Sequence, residues 1–200
     1  TAELMYRIVS MAGAPYDHIT KDIAECIYTG MMTDTGNFSY NSQNPEIYLI
    51  INKLLKIGIN KDEIYNRVFN TYSVDRMRLM GYCLSKKMRL YKEQRTALIY
   101  LTAKECRHYN YQVGDTEGFV NLPFSIKDID ISIFVRQDNE NEKIKISFRS
   151  QGSFPANKMA EDFKGGGHLN AAGGESYVSM RATLSMLEEA ILNRKRYEKE

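Results

Sequence analysis

Apolar residues recur at helical spacing over the first seventy positions of this chain. Leu4, Ile8 and Val9 line one face behind Thr1. After a turn around Gly13 and Pro15, Ile23, Cys26 or Ile27, and Met31 line another behind a Thr20 cap, with the helix ending near Gly30. The clearest helix carries Ile47, Ile50, Ile51, Leu54 and Ile57, with Asn44 as cap, Pro45 at the first helical position and Gly58 as stop. Asn60 with Glu63 predicts a further short helix to about Asn70. From Ser73 to about Tyr91, Met77, Met80, Leu84, Met88 and Tyr91 keep helical spacing, which predicts one long helix joining two domains.

The period then shortens. Ala97–Thr102 reads as a strand, Thr102 and Glu105 as a capping box, and "DISIFVRQ" and "EKIKISFRS" as a hairpin turning at Asp138–Asn141. Asn157 is expected to cap a short helix bearing Met159, Ala160 and Phe163, which leads into "FKGGGHLNAAGGES". "ESYVSM" reads as a last strand, and a helix from about Ser179 with Leu184, Leu187 and Ile191 ends in "NRKRYEKE". The fold class is α/β, with a helix-rich part over 1–72, a linker helix over 73–92, a mixed α/β domain over 93–193 and a tail over 194–200.

Composition narrows the function more than the fold. The 200 residues carry 27 Lys and Arg against 25 Asp and Glu, a net charge of +2, too weak a basic field for tracking a long duplex. A short anionic ligand held by a few placed groups fits better. No apolar run reaches the roughly 18 residues of a membrane helix, and no basic-then-apolar secretory order opens the chain, so the expectation is a soluble, cytoplasmic protein. Cys26, Cys83 and Cys106 are odd in number and far apart, which argues against a disulfide framework or a zinc ribbon. The first residue is Thr1, and the expectation is a chain that starts within a longer protein.

Three stretches carry candidate chemistry. Gly165, Gly166 and Gly167 before His168 could converge backbone N–H groups on a phosphate, strengthened if a helix starts near His168; the competing reading is a mobile loop. Arg149 ends the "ISFRS" strand, where its planar fork can take a phosphate in two-point fashion or simply be solvated. Asp34 in "MMTDTG" is either a turn cap or a carboxylate ligand for a hard cation such as Mg²⁺ or Mn²⁺. The aspartic-protease reading of D-T-G fails for want of a second copy, unless dimerisation supplies one. His18 and His108 lie in polar stretches and receive no role.

Taken together, "YTGMMTDTGNFSY", "ISFRSQGSFPANKMAEDFKGGGHLNAAGG" and the helix between them resemble the DHH/DHHA1 phosphoesterases over roughly residues 1 to 192. Within that superfamily the likeness is strongest to the soluble proteins that degrade very short RNA and dephosphorylate 3′-phosphoadenosine 5′-phosphate (pAp). The resemblance implies the C-terminal part of a doubly wound DHH domain, a helical linker and a DHHA1 substrate-binding domain. It also implies a two-metal centre, usually Mn²⁺ with Mg²⁺ as the alternative. Asp34 matches the last metal-ligand aspartate. Arg149, Ser150, Gly165, Gly166, Gly167 and His168 match the elements that grip substrate phosphate and base, with Asn157 and Lys158 nearby. The D-x-D and Asp-His-His motifs that the family carries upstream are absent, and "YDH" at Tyr16–His18 is no substitute. The chain alone is therefore expected to bind short oligonucleotides or nucleotides but to be inactive, with residues 1–70 loosely held or paired with another chain, as in a homodimer. A cyclic-dinucleotide phosphodiesterase, a short-chain polyphosphatase and a non-catalytic nucleic-acid-binding module are the alternatives.

Overall fold

A computed structural model describes residues 1–11, 19–39, 42–138 and 143–198. The expected turn at Gly13 and Pro15, the Tyr16–His18 stretch and the hairpin turn at 139–141 lie outside the described residues. The chain divides into two compact units, Thr1–Tyr72 and Ser73–Glu200. Among the described residues no helix is long and apolar enough to cross a membrane.

The first unit is four helices, α1 (Ala2–Met11), α2 (Lys21–Asp34), α3 (Pro45–Lys56) and α4 (Lys61–Phe69). Three of them start where a short polar side chain accepts an otherwise orphaned N–H. Ile23 donates to Thr20 Oγ1, Glu46 to Asn44 Oδ1 and Glu63 to Asn60 Oδ1. Their shared core holds Tyr6, Ala24, Ile27, Met32, Ile50 and Leu54. Two expectations are corrected. Gly30 does not end its helix, because α2 continues to Asp34; a Cβ at Gly30 would stand 2.9 Å from that of Ala2, so the glycine lets α1 lie close against α2. On α1 the buried side is Tyr6, while Leu4, Met5, Ile8 and Met11 are exposed.

The second unit is built on a six-stranded sheet, β1 (Met88–Tyr91), β2 (Thr96–Leu101), β3 (Ile131–Gln137), β4 (Ile144–Ser150), β5 (Gly166–His168) and β6 (Ala171–Ser176), in the order β1-β2-β3-β4-β6-β5. Only β2 and β3 run parallel. One face packs Leu98, Ile133, Val135, Ile146 and Phe148 under α7 (Ala156–Glu161) and α8 (Met180–Leu192). On the other face Ile99, Leu101 and Phe134 meet α5 (Val74–Tyr82), α6 (Ala103–His108) and a 3₁₀ segment, Phe119–Ser125. That cover thins beyond β3, where the 3₁₀ segment still touches β4, and on this face the β4-β6-β5 end carries exposed or half-buried residues.

The long linker helix is also corrected. After α5 the backbone makes one π turn, Cys83–Lys87, and leaves it as β1, because Met88–Tyr91 finds a ladder partner in Thr96–Ile99. Met88 and Tyr91, three apart, would share one helix face; as a strand they point to opposite faces, and both stay partly buried because the sheet is covered on each side. Lys87 closes the π turn with a 2.7 Å ion pair to Glu105 and lies 3.9 Å above the Tyr100 ring. Burial pushes the Glu105 carboxyl up, but hydrogen bonds from Lys87, Tyr82 and the Thr102 cap outweigh it and hold the group down at about 2.

Candidate substrate-grip site

The glycine stretch is an antiparallel hairpin, β5 to β6, turned over Leu169 and Asn170. No helix starts at His168: both arms pair as strands, so the condition for an added helix dipole is not met. Some glycines are required by the fold itself. A Cβ at Gly165 would lie 1.9 Å from the Gly173 carbonyl oxygen, and one at Gly167, where φ is +147°, would lie 2.6 Å from that of Ala171. The turn is fixed as well. Asn170 Nδ2 donates to Ser150 Oγ (2.9 Å) and to the Gly152 carbonyl (3.0 Å), Ser150 N–H donates back to Asn170, and Ala156 N–H to Leu169. Asn170 was not singled out from the sequence; an asparagine at the tip of a glycine-flanked turn was the available signal.

Strand register explains why Arg149 and His168 belong together. His168 faces Ala171, Ala171 faces Arg149 and Arg149 faces Ser132, so the four form one row across β5, β6, β4 and β3. Side chains of a row emerge on one face, and two strand spacings put Arg149 and His168 about 10 Å apart. Ala171 lies between them, and the adjacent row is Gly166, Gly173 and Ser147. Two posts thus flank a floor of small residues. β5 is the outer strand, so its outward N–H groups have no strand neighbour.

Arg149 is half-buried, and among the described residues no carboxylate pairs with it; Nη1 donates to the Phe148 carbonyl at 2.9 Å and the Ala172 carbonyl at 3.4 Å. Burial alone lowers the pKa of its guanidinium. Its neighbours on the sheet are matched: Lys143 pairs with Glu175 and Lys145 with Asp138. A half-buried cation without a counter-charge can accept an anion as partner. By contrast, a cavity of about 640 Å³ at the sheet end has its guanidiniums, Arg95 and Arg194, already paired with Asp130.

The other predicted residues divide by role. The Ser150 hydroxyl is committed, donating to the Phe154 carbonyl (2.7 Å) and accepting from Asn170, so it shapes the loop beside Arg149. Asn157 does not cap α7, where Pro155 holds the cap position without a side-chain bond; its Oδ1 is buried without a partner. Lys158 is exposed on the same helix.

Asp34 belongs to the first unit, at the last position of α2. Gly36, Asn37 and Phe38 follow at φ +54°, +56° and +61°, a left-handed run that costs about 1–2 kcal/mol for each residue with a side chain. The run is held by Asn37 N–H to the Met32 carbonyl (2.7 Å), Phe38 N–H to Thr35 Oγ1 (2.9 Å) and the Phe38 ring against Tyr28. Thr33 and Thr35 spend their hydroxyls on helix carbonyls. The Asp34 carboxylate, 62% exposed with one 3.8 Å contact to the Thr1 amino group, is the uncommitted group of the triplet. Strain of this kind beside an exposed carboxylate keeps the turn a candidate. Among the described residues no group of three or more His, Cys, Asp or Glu could hold a metal ion, so these residues by themselves do not make a two-metal centre.

Comparisons with known proteins bear on the fold that carries these residues. Residues 96–192 match the DHHA1 domain family. The chain is 30% identical, over 177 residues, to the bifunctional oligoribonuclease and PAP phosphatase NrnA of Thermus thermophilus, covering 86% of this chain and 50% of that protein. It superposes with TM-score 0.92 on the crystal structure of an exopolyphosphatase-related protein from Bacteroides fragilis, at 51% identity over 99% of this chain and 58% of the other. A pGpG-specific phosphodiesterase of Vibrio cholerae shares the fold at TM-score 0.52 and 15% identity, over 98% of this chain and 67% of the other. The second unit is thus built around a DHHA1 domain. Residues 96–192 carry the DHHA1 family match, the whole chain is similar to DHH/DHHA1-type proteins, and it spans about half the length of the curated relatives it matches.

Gly166 separates fold from ligand. A Cβ there meets nothing within 4 Å, whereas one at Gly167 meets backbone. Gly167→Ala is expected to destabilise by about 2–4 kcal/mol through forced φ and overlap, read as a drop in Tm. Gly166→Ala should leave Tm unchanged but raise KM for a ligand lying on the floor; an unchanged KM would remove Gly166 from the site.

Proposed function

We propose that the intact protein is a metal-dependent phosphoesterase that hydrolyses short oligoribonucleotides to 5′-mononucleotides and pAp to AMP. In this reading the second unit holds the substrate. The observation that carries it is the row of Arg149 and His168 over Ala171, Gly166 and Gly173, with Arg149 lacking a counter-ion among the described residues. The Arg149 fork takes a phosphate by charge-assisted hydrogen bonds. His168, exposed at the sheet edge, donates to a second phosphate oxygen or stacks on a base. Gly166 and Gly173 let the ligand approach the backbone.

The first unit contributes Asp34. Manganese dependence is part of the proposal, with Asp34 as a ligand from this chain, and residues 1–200 by themselves are expected to bind substrate without turning it over. The low net charge fits a ligand of a few nucleotides rather than a long duplex.

The test compares turnover of pApA, pAp, c-di-AMP and inorganic polyphosphate by the intact protein in Mn²⁺. Release of AMP from pApA and pAp, with the other two slower, is expected. Preference for c-di-AMP or polyphosphate would overturn the substrate assignment, and hydrolysis by residues 1–200 alone would overturn the division of labour.

A further inference from the structure

The first five residues of β3 are Ile131, Ser132, Ile133, Phe134 and Val135, a buried run interrupted by one hydroxyl. Ser132 is 0% exposed, and its Oγ has no hydrogen-bond partner among the described residues. An orphaned buried hydroxyl weakens a fold, and alanine would avoid the loss. Alanine indeed occupies both other small positions of the same row, Ala97 and Ala171. The fold by itself therefore gives no reason for the Ser132 oxygen.

The register supplies one. Ser132 stands directly opposite Arg149, and opposed residues on antiparallel strands carry their Cβ atoms about 4.5–5.5 Å apart on one face. The hydroxyl is thus beside the stem of the guanidinium. Arg149 uses Nη1 on two backbone carbonyls, while its Nε donates to none of the described residues. A free acceptor and a free donor lie on facing residues.

We propose that Ser132 is a positioning residue for Arg149. When an anion draws the guanidinium off the Phe148 and Ala172 carbonyls, Ser132 Oγ accepts from Nε–H and holds the fork above Ala171 and Gly173. The serine touches no substrate and acts through the arginine. The proposal rests on Arg149 as the phosphate grip.

The test is a double-mutant cycle in the intact protein with pAp. Ser132→Ala should fold normally, with Tm equal or slightly higher, and raise KM about 3- to 10-fold, the weight of one hydrogen bond, with kcat changed less than about twofold. On an Arg149→Ala background the same substitution should change nothing further, because residues that act as a unit are not additive. An unchanged KM in the single variant, or an equal rise on both backgrounds, overturns the proposal; so does a lowered Tm with a KM rise that persists without Arg149. If wild-type protein turns over neither pApA nor pAp, the functional reading fails instead. The cycle read as pAp Kd by calorimetry then still decides the coupling.

Discussion

Asp34→Asn in the intact protein should reduce hydrolysis of pApA and pAp to the assay background while leaving the fold in place. The substitution keeps shape and removes only charge. It sits at the end of α2, exposed, with no contact to the buried core of its unit, so Tm should stay within a degree or two. Partners that merely support a metal ligand cost about 10–100-fold when removed, and a ligand itself should cost more than about 100-fold. The left-handed run behind it sharpens the expectation. A strained turn that existed only to end a helix could be replaced by an easier one, but here Thr33, Thr35 and Phe38 are all engaged in holding the backbone while the carboxylate has only its long contact to the Thr1 amino group. Wild-type turnover in Asp34→Asn would leave the strain without a function and remove Asp34 from the chemistry.

Arg149→Ala should act in the opposite way, on binding. Losing a charge-assisted two-point contact is expected to raise KM for pAp about 10- to 100-fold, since hydrogen bonds to charged groups contribute about 1.5–3 kcal/mol, with a smaller change in kcat. Stability should not fall, because the desolvated cation goes with the side chain and no buried carboxylate is left behind. Arg149→Lys should recover only part of the loss, since an ammonium cannot reproduce the planar fork. An Arg149→Ala protein with unchanged KM would return this residue to the solvated surface.

Much of the framework was legible because its signals are local. Thr20, Asn44, Asn60 and Thr102 all cap the helices their chemistry predicted. The two central strands of the DHHA1 sheet followed from alternation. What stayed hidden is non-local. Gly30 read as a stop because nothing in its neighbours announces Ala2 lying against it. The glycine hairpin carries no β-branched residues, so its strands leave no trace in composition, and a loop or a helix start looked equally natural. Arg149, Gly166 and His168 could be named as candidates from the sequence, yet their alignment on one face depends on register between segments as far apart as β3 and β5. Ser132 passed unnoticed for the same reason, since a lone serine in an apolar strand becomes informative only with its neighbour across the ladder.

The tethered turn of the glycine hairpin has one more consequence. Five glycines in fourteen residues usually mean a segment that must lose conformational freedom whenever it engages a ligand. Four hydrogen bonds through Leu169 and Asn170 have already removed that freedom in the folded chain. Ordering entropy is therefore charged to folding and not to association, so affinity at this surface reflects the contacts made rather than a loop being quenched.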